Sequence, residues 1–302
     1  MFDNTYDLIS GIWPTPLVKL RRYGDVWVKL ECFNALSSSI KDRVVWYIIN
    51  KWVKNHAKFN MIEEASSGNV AIALGLISNI LGIKYRAYLP KNTPKVTEAL
   101  LKIIGVDIVK TDFEVINKNL WTWVKRHAEE IGALNINQFE NEDNPQAHYD
   151  LTGNELVQQF KIIGKRPQVL IAGIGTSGHI AGIARRLIES FGKIIIIGVV
   201  PSRGSNIPGI KRIESGVKWI NNVIDEVIEI STREAIESVL ELARNEGLLV
   251  GLSSGAVFNA FKKVRDKYGE KTYLLIFPDN IYKYIDIIEK YIDGSTVKLS
   301  PY

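Results

Sequence analysis

The sequence predicts an α/β protein of two doubly wound domains with mainly parallel sheets. Short β-rich runs at residues 84–89, 106–110, 168–172, 193–200 and 272–277 alternate with segments of helical apolar spacing almost from end to end. That alternation is the signature of parallel strands covered by helices on both faces. The chain has 302 residues, 46% of them hydrophobic, which is enough for one large core or two ordinary ones. A polar passage from Phe139 to His148, "FENEDNPQAH", separates two halves of similar character. The domains are therefore expected at 1–143 and 144–302, and the sequence leaves open whether residues 1–33 pack with the second half.

Composition excludes several functions. The net charge of +5 comes from 38 basic and 33 acidic residues interspersed along the chain, with no basic block. That pattern argues against a nucleic-acid partner and suits a small anionic ligand. The single cysteine, Cys32, excludes a disulfide framework and a multi-cysteine metal site, so a reducing cytoplasm is expected. The first residues carry no signal-peptide pattern, and no apolar run reaches the roughly 18 residues that a membrane span needs. His56, His127 and His148 are scattered among polar neighbours, where surface or capping roles are expected and metal ligation is not.

Along the chain, Lys41 is the first residue to raise a chemical question. It closes the small-residue loop "NALSSSIK" and opens an apolar-periodic, helix-like segment running to Ile49. A lysine there reads as a solvated charge unless a ligand needs an amine. Ser66, Ser67, Gly68 and Asn69 stand where the helical period of Ile72, Ala73, Leu76, Ile77 and Ile80 begins. Taken alone they read first as a helix cap and second as an anion site. Gly173 to Gly178, "GIGTSG", follows the apolar strand "VLIA" and precedes His179 and the helical pattern "IAGIARRLIES". Glycines let backbone N–H groups converge and a helix N-terminus adds positive potential, so this order favours a phosphate, although such turns also occur without a ligand. The acidic residue of a dinucleotide fingerprint is missing, which leaves a phosphate from another cofactor. An aldehyde cofactor held by its phosphate would need an amine, and Lys41 supplies one.

The motifs "NALSSSIKDR", "SSGN", "NQFEN", "GIGTSGH", "GLSSGA" and "PDNIYKY" occur in the order of those in cysteine synthases. In this respect the chain resembles the pyridoxal-phosphate enzymes of the tryptophan-synthase-β fold type (fold type II), from Thr15 to Asn280. "GTSGH" and "IPGIKRIESGVKW" are most similar to archaeal enzymes that make cysteine from O-phosphoserine and sulfide. The resemblance implies pyridoxal 5'-phosphate as cofactor, with Lys41 holding its aldehyde and serving as the catalytic base. It assigns Gly175, Thr176, Ser177, Gly178 and His179 to the cofactor phosphate and Asn69 to the ring hydroxyl. Ser253, in "GLSSGA", would face the pyridine nitrogen with a neutral hydroxyl, a choice that favours β-elimination over transamination; without the resemblance Ser253 and Ser254 read as a turn before a helix. Ser66, Ser67, Gly68 and Gln138 would bind the substrate carboxylate.

Lys211 and Arg212, beside Ile207–Pro208–Gly209, are the candidates for a substrate phosphate. Arg212 is preferred for its planar fork, and Arg203 reads as a solvated charge. The departures lie at Val70, where many relatives carry a hydroxyl, in "ALSSS", and in the absence of a glycine after Pro278–Asp279. The implied activity is β-replacement of O-phosphoserine or O-acetylserine by sulfide to give cysteine, by a cytoplasmic homodimer. Cystathionine β-synthase or serine/threonine dehydratase activity on the same fold is the alternative, and a catalytically inactive cofactor-binding regulator is the non-enzyme alternative.

Overall fold

A computed structural model describes residues 1–55 and 59–294. Its strands are β1 (Leu17–Lys19), β2 (Val26–Leu30), β3 (Met61–Ala65), β4 (Lys84–Leu89), β5 (Asp107–Lys110), β6 (Val169–Gly173), β7 (Ile195–Pro201), β8 (Glu226–Ile230) and β9 (Tyr273–Phe277). The helices are α1 (Thr5–Gly11), α2 (Lys41–Lys54), α3 (Asn69–Leu81), α4 (Lys95–Ile104), α5 (Lys118–Glu130), α6 (Asp143–Ala147), α7 (Asn154–Ile162), α8 (Gly178–Phe191), α9 (Thr232–Glu246), α10 (Leu252–Tyr268) and α11 (Ile285–Gly294). His56 lies outside the described residues.

The strands form two sheets. The larger has the order β1-β2-β9-β6-β7-β8, and the smaller is β3-β4-β5. Every pairing is parallel except β1 with β2. The central strands "VLIAG" and "YLLIF" are buried along their whole length, as strands covered on both faces must be. One face of the large sheet packs under Val257, Phe258 and Phe261 of α10, and the other under Ile180, Ile183 and Leu187 of α8. β2 pairs with β9, so residues 17–30 extend the large sheet rather than the small one.

The chain runs outward from β6 to β7 and β8, then returns to the other side of β6 as β9. This reversal makes the carboxyl ends of β6 and β9 the switch point of the sheet, the place where open parallel sheets bind their ligands in a crevice. Two loops leave the sheet there, Gly173–Gly178 after β6 and Pro278–Tyr284 after β9. The structure buries His148, which the sequence assigned to a surface or capping position. Its Nδ1 lies 3.0 Å from Thr152 Oγ1 and its ring 6.0 Å from that of His179. The apolar faces of α2 and α8 enclose this segment, a tertiary effect its polar sequence does not show.

Candidate active site

Lys41 opens α2, and its position is fixed from three sides. Ile40 N–H donates to Pro278 O at 2.8 Å, and Lys41 N–H donates to Ser39 Oγ at 3.2 Å. The Asp42 carboxylate accepts the N–H groups of Leu36 and Ser37 at 2.7 and 2.9 Å. Arg43 is fully buried; it donates from Nε to Glu31 at 2.6 Å and from Nη2 to Glu155 at 2.8 Å. Lys29, also fully buried, donates to the same Glu155 at 2.7 Å. This closed network of two cations and two carboxylates anchors the first turn of α2, leaving Lys41 little freedom to move. Burial lowers the Lys41 pKa to about 8, against the opposing charge of Asp279. About a tenth of the amine is therefore neutral at pH 7, far more than for an ordinary lysine.

Two helix N-termini at the crevice lack side-chain caps. α3 begins after Gly68 and α8 after Ser177, neither with a side-chain cap, a feature they share with α2, α4, α6, α7 and α10, whereas α1, α5 and α9 are capped by Asn4, Asn117 and Ser231. The serines at 66 and 67, read from sequence alone first as caps, do not cap α3. Its N–H groups and those of α8 remain available to anions. The β6–α8 turn is tightly built: Ser177 takes the left-handed conformation at φ 69°, and a Cβ on Gly175 would lie 2.5 Å from Gly209 O. A side chain at 175 is thus excluded by backbone. His179 is buried with both ring nitrogens unpartnered, and burial beside Lys41 lowers its pKa to about 3, so its ring is neutral.

Asn69, at the start of α3, donates Nδ2–H to Asp279 at 2.8 Å, while its buried Oδ1 has no partner. Ser253 and Ser254 lie in the first turn of α10, both buried, with Ser254 Oγ unpartnered. Gln138 follows Asn137, a residue in the left-handed conformation whose N–H donates to Glu64 at 3.0 Å. Glu64 is buried, and desolvation raises its pKa to about 8 despite the backbone N–H groups that it accepts.

Of the two cations after Gly209, Lys211 faces the crevice. Its N–H donates to Ile174 O at 2.6 Å, and its ammonium lies 4.6 Å from the centre of the Phe139 ring, which stacks on Trp121 at 4.3 Å. Arg212 is turned away, bound to Glu214 and Glu229, each at 3.0 Å, and to Pro201 O.

Two contributors went unnoticed in the sequence. Asn144 donates to Gln138 O at 2.6 Å and to Thr176 Oγ1 at 3.1 Å, tying the loop of Gln138 to the β6–α8 turn. Asp279 joins Asn69 to the loop after β9. The motif "PDNIYKY" marked its position but not its role.

A parallel α/β architecture with an amine of lowered pKa at Lys41, beside helix N-termini without side-chain caps at the switch point, can accommodate a ligand that carries both an anionic group and a carbonyl. The sequence profile described as "Pyridoxal-phosphate dependent enzyme" matches residues 8–279, and the chain belongs to this family and to its cysteine synthase branch. It is 34% identical over 259 residues to cysteine synthase B of Escherichia coli (strain K12), covering 82% of this chain and 84% of that protein. It is 32% identical over 302 residues to a cysteine synthase of Staphylococcus aureus (strain Mu50 / ATCC 700699), covering 94% and 95%. Among solved structures, O-ureido-L-serine synthase superposes with a TM-score of 0.87 at 26% identity, covering 98% of each chain. The protein is a pyridoxal-phosphate-dependent enzyme. The unpartnered Asn69 Oδ1 and the side-chain-free approach at Gly175 fit that cofactor.

Proposed function

We propose that the protein is a cysteine synthase that exchanges the β-substituent of an activated serine, O-phosphoserine or O-acetylserine, for sulfide. The observation that carries the reading is the Lys41 amine, desolvated to a lowered pKa and electrostatically coupled to His179 of the β6–α8 turn and to Asp279. Bound pyridoxal phosphate supplies an electron sink for the substrate α-carbon. Gly175, Thr176, Ser177, Gly178 and His179 would hold its phosphate, the last as a neutral imidazole. Asn69 would meet its ring hydroxyl, and Ser253 would face the pyridine nitrogen without supplying a proton. Ser66, Ser67, Gly68 and Gln138 hold the substrate carboxylate. Lys41 Nζ would hold the cofactor's aldehyde and, when free, would serve as the base that takes the proton from the substrate α-carbon.

Lys211, rather than Arg212, meets the leaving group in this reading. Its ammonium lies over Phe139, next to Gln138, while Arg212 is engaged by two glutamates. A cation at that position supports O-phosphoserine over O-acetylserine, because a departing phosphate carries more charge than acetate. The chain is divided near Asn144, and closure of the β3–β5 lobe over the carboxylate keeps water out. A homodimer in the cytoplasm completes the proposal. The similarity to O-ureido-L-serine synthase favours a second reading, in which the serine half of the reaction is shared and a different nucleophile attacks. Side-by-side turnover of O-phosphoserine, O-acetylserine and serine with sulfide, homocysteine and hydroxyurea decides. Cysteine from O-phosphoserine supports the proposal; turnover only with another nucleophile refutes it.

A further inference from the structure

In the loop after β9, Asp279 joins the start of α3, the segment before Lys41 and the turn before α10. Asp279 is 2% exposed, and its Oδ2 accepts both Asn69 Nδ2–H at 2.8 Å and the Tyr284 hydroxyl at 2.5 Å. Its backbone bridges Ser39, two residues before Lys41, and its carbonyl accepts Gly251 N–H at 3.0 Å. The second carboxylate oxygen, Oδ1, is buried without a partner, and a Cβ on Gly251 would lie 2.0 Å from it, so position 251 admits no side chain. Lys41 and Lys283 supply the nearby positive charge, and Tyr284 and Cys32 are the other titratable groups facing the carboxylate. Lys283 is itself held by Ser37 O at 2.8 Å.

Burial raises the Asp279 pKa, opposed by the charges of Lys283 and Lys41 and by the bonds from Tyr284 and Asn69. In its ionised form the carboxylate can only accept, so it dictates which end of the Asn69 amide faces it. With Nδ2 turned to Asp279, one N–H and the unpartnered Oδ1 of Asn69 are left for the site; the flipped amide would set oxygen against oxygen. We propose that Asp279 is a positioning residue for the cofactor, locking the Asn69 amide in the orientation that meets the cofactor's ring hydroxyl. The inference rests on the reading of Asn69 given above. The bond also crosses from α3, next to the small sheet, to the large sheet, so the amide keeps its orientation only while the two are held in register.

The test is a double-variant cycle on the full-length protein: Asn69→Ala, Asp279→Asn and the two combined. Each apoprotein is titrated with pyridoxal phosphate, the visible absorption band of the bound cofactor is recorded against pH, and melting without cofactor serves as the folding control. Asp279→Asn keeps the shape of the side chain and removes the charge that fixes the amide. The expected result is that Asn69→Ala and Asp279→Asn each weaken cofactor retention by about tenfold, the worth of one hydrogen bond. Both shift the band in the same direction, and the combined variant is no worse than Asn69→Ala alone. An unchanged band and affinity in Asn69→Ala would overturn the reading of Asn69 itself. A changed Asn69→Ala beside a normal Asp279→Asn, or losses that add in full, would overturn the role of Asp279. If Asp279→Asn does not fold, Tyr284→Phe takes its place, removing one donor while leaving the carboxylate. A smaller shift in the same direction, abolished by Asn69→Ala, is expected; no shift, or one that persists without Asn69, overturns the proposal.

Discussion

Lys211 holds its ammonium 4.6 Å from the centre of the Phe139 ring, one residue beyond Gln138, and burial, with no opposing carboxylate, lowers its pKa to about 8. A cation kept over an aromatic face, with no counter-ion among the described residues, is poised to take an anionic ligand. Lys211→Gln should lower kcat/KM for O-phosphoserine by roughly 10–1000-fold, the cost of one donor to developing charge. O-acetylserine should be little affected, and Arg212→Ala should be nearly silent on both. The ammonium is charged below its pKa, so the preference for O-phosphoserine should decline as pH rises through about 8, and Lys211→Gln should lose that decline. Steady-state kinetics on both esters from pH 6.5 to about 9 read each of these outcomes.

Arg43 closes the ion network behind Lys41. Replacing it with Met removes the cation bonded directly to Glu31 and leaves only Lys29 nearby, and breaking a buried pair in this way costs about 3–5 kcal/mol. Denaturant unfolding should show that loss. A change below about 1 kcal/mol would mean that the network contributes no more than surface ion pairs do.

Glu64 should make stability depend on pH in an unusual direction. Its pKa is raised by burial to about 8 in the folded chain, so the folded state retains a proton that the unfolded chain releases at lower pH. Stability contributed by this group is therefore highest in acid and falls between about pH 4.5 and 8, where the folded state binds more protons. Glu64→Gln should flatten that decline in melting curves taken across the window. An unaltered slope would show that Glu64 is ionised in the folded protein.

Gln138 and Ser67 separate substrate from cofactor. Gln138→Ala and Ser67→Ala should each cost about 1.5–3 kcal/mol in amino-acid binding, the worth of a hydrogen bond to a charged group, with cofactor affinity unchanged. Titrating each holoenzyme with substrate, and each apoprotein with cofactor, measures the two affinities. Equal loss of both would place these residues outside the carboxylate pocket.

Much of the architecture was legible in the sequence because parallel strands buried on both faces are continuous apolar runs. Five such runs correspond, within two residues at either end, to β4, β5, β6, β7 and β9. The strands β3, "MIEEA", and β8, "EVIEI", were missed because glutamates interrupt their pattern. In β3 both glutamates are buried and satisfied by distant partners, Glu63 by His127 and Tyr88 and Glu64 by the N–H of Asn137. The motifs marked the positions of Lys41, Asn69 and the β6–α8 turn, each written in a short contiguous stretch. The environment of Arg212 was not legible, since the glutamate at 229 that holds it is supplied by β8. The roles of Asn144 and Asp279 were hidden for the same reason, because each acts by joining loops far apart in the chain.

The most direct test of the account concerns Lys41. Reducing the holoenzyme with borohydride fixes the cofactor to the amine that holds it, and peptide mapping then identifies that amine. The account predicts a single pyridoxyl-modified peptide carrying the label on Lys41, and none in Lys41→Ala, which should still fold but have no turnover. A label on Lys29, Lys211, Lys283 or any other lysine in the unmodified enzyme would contradict it.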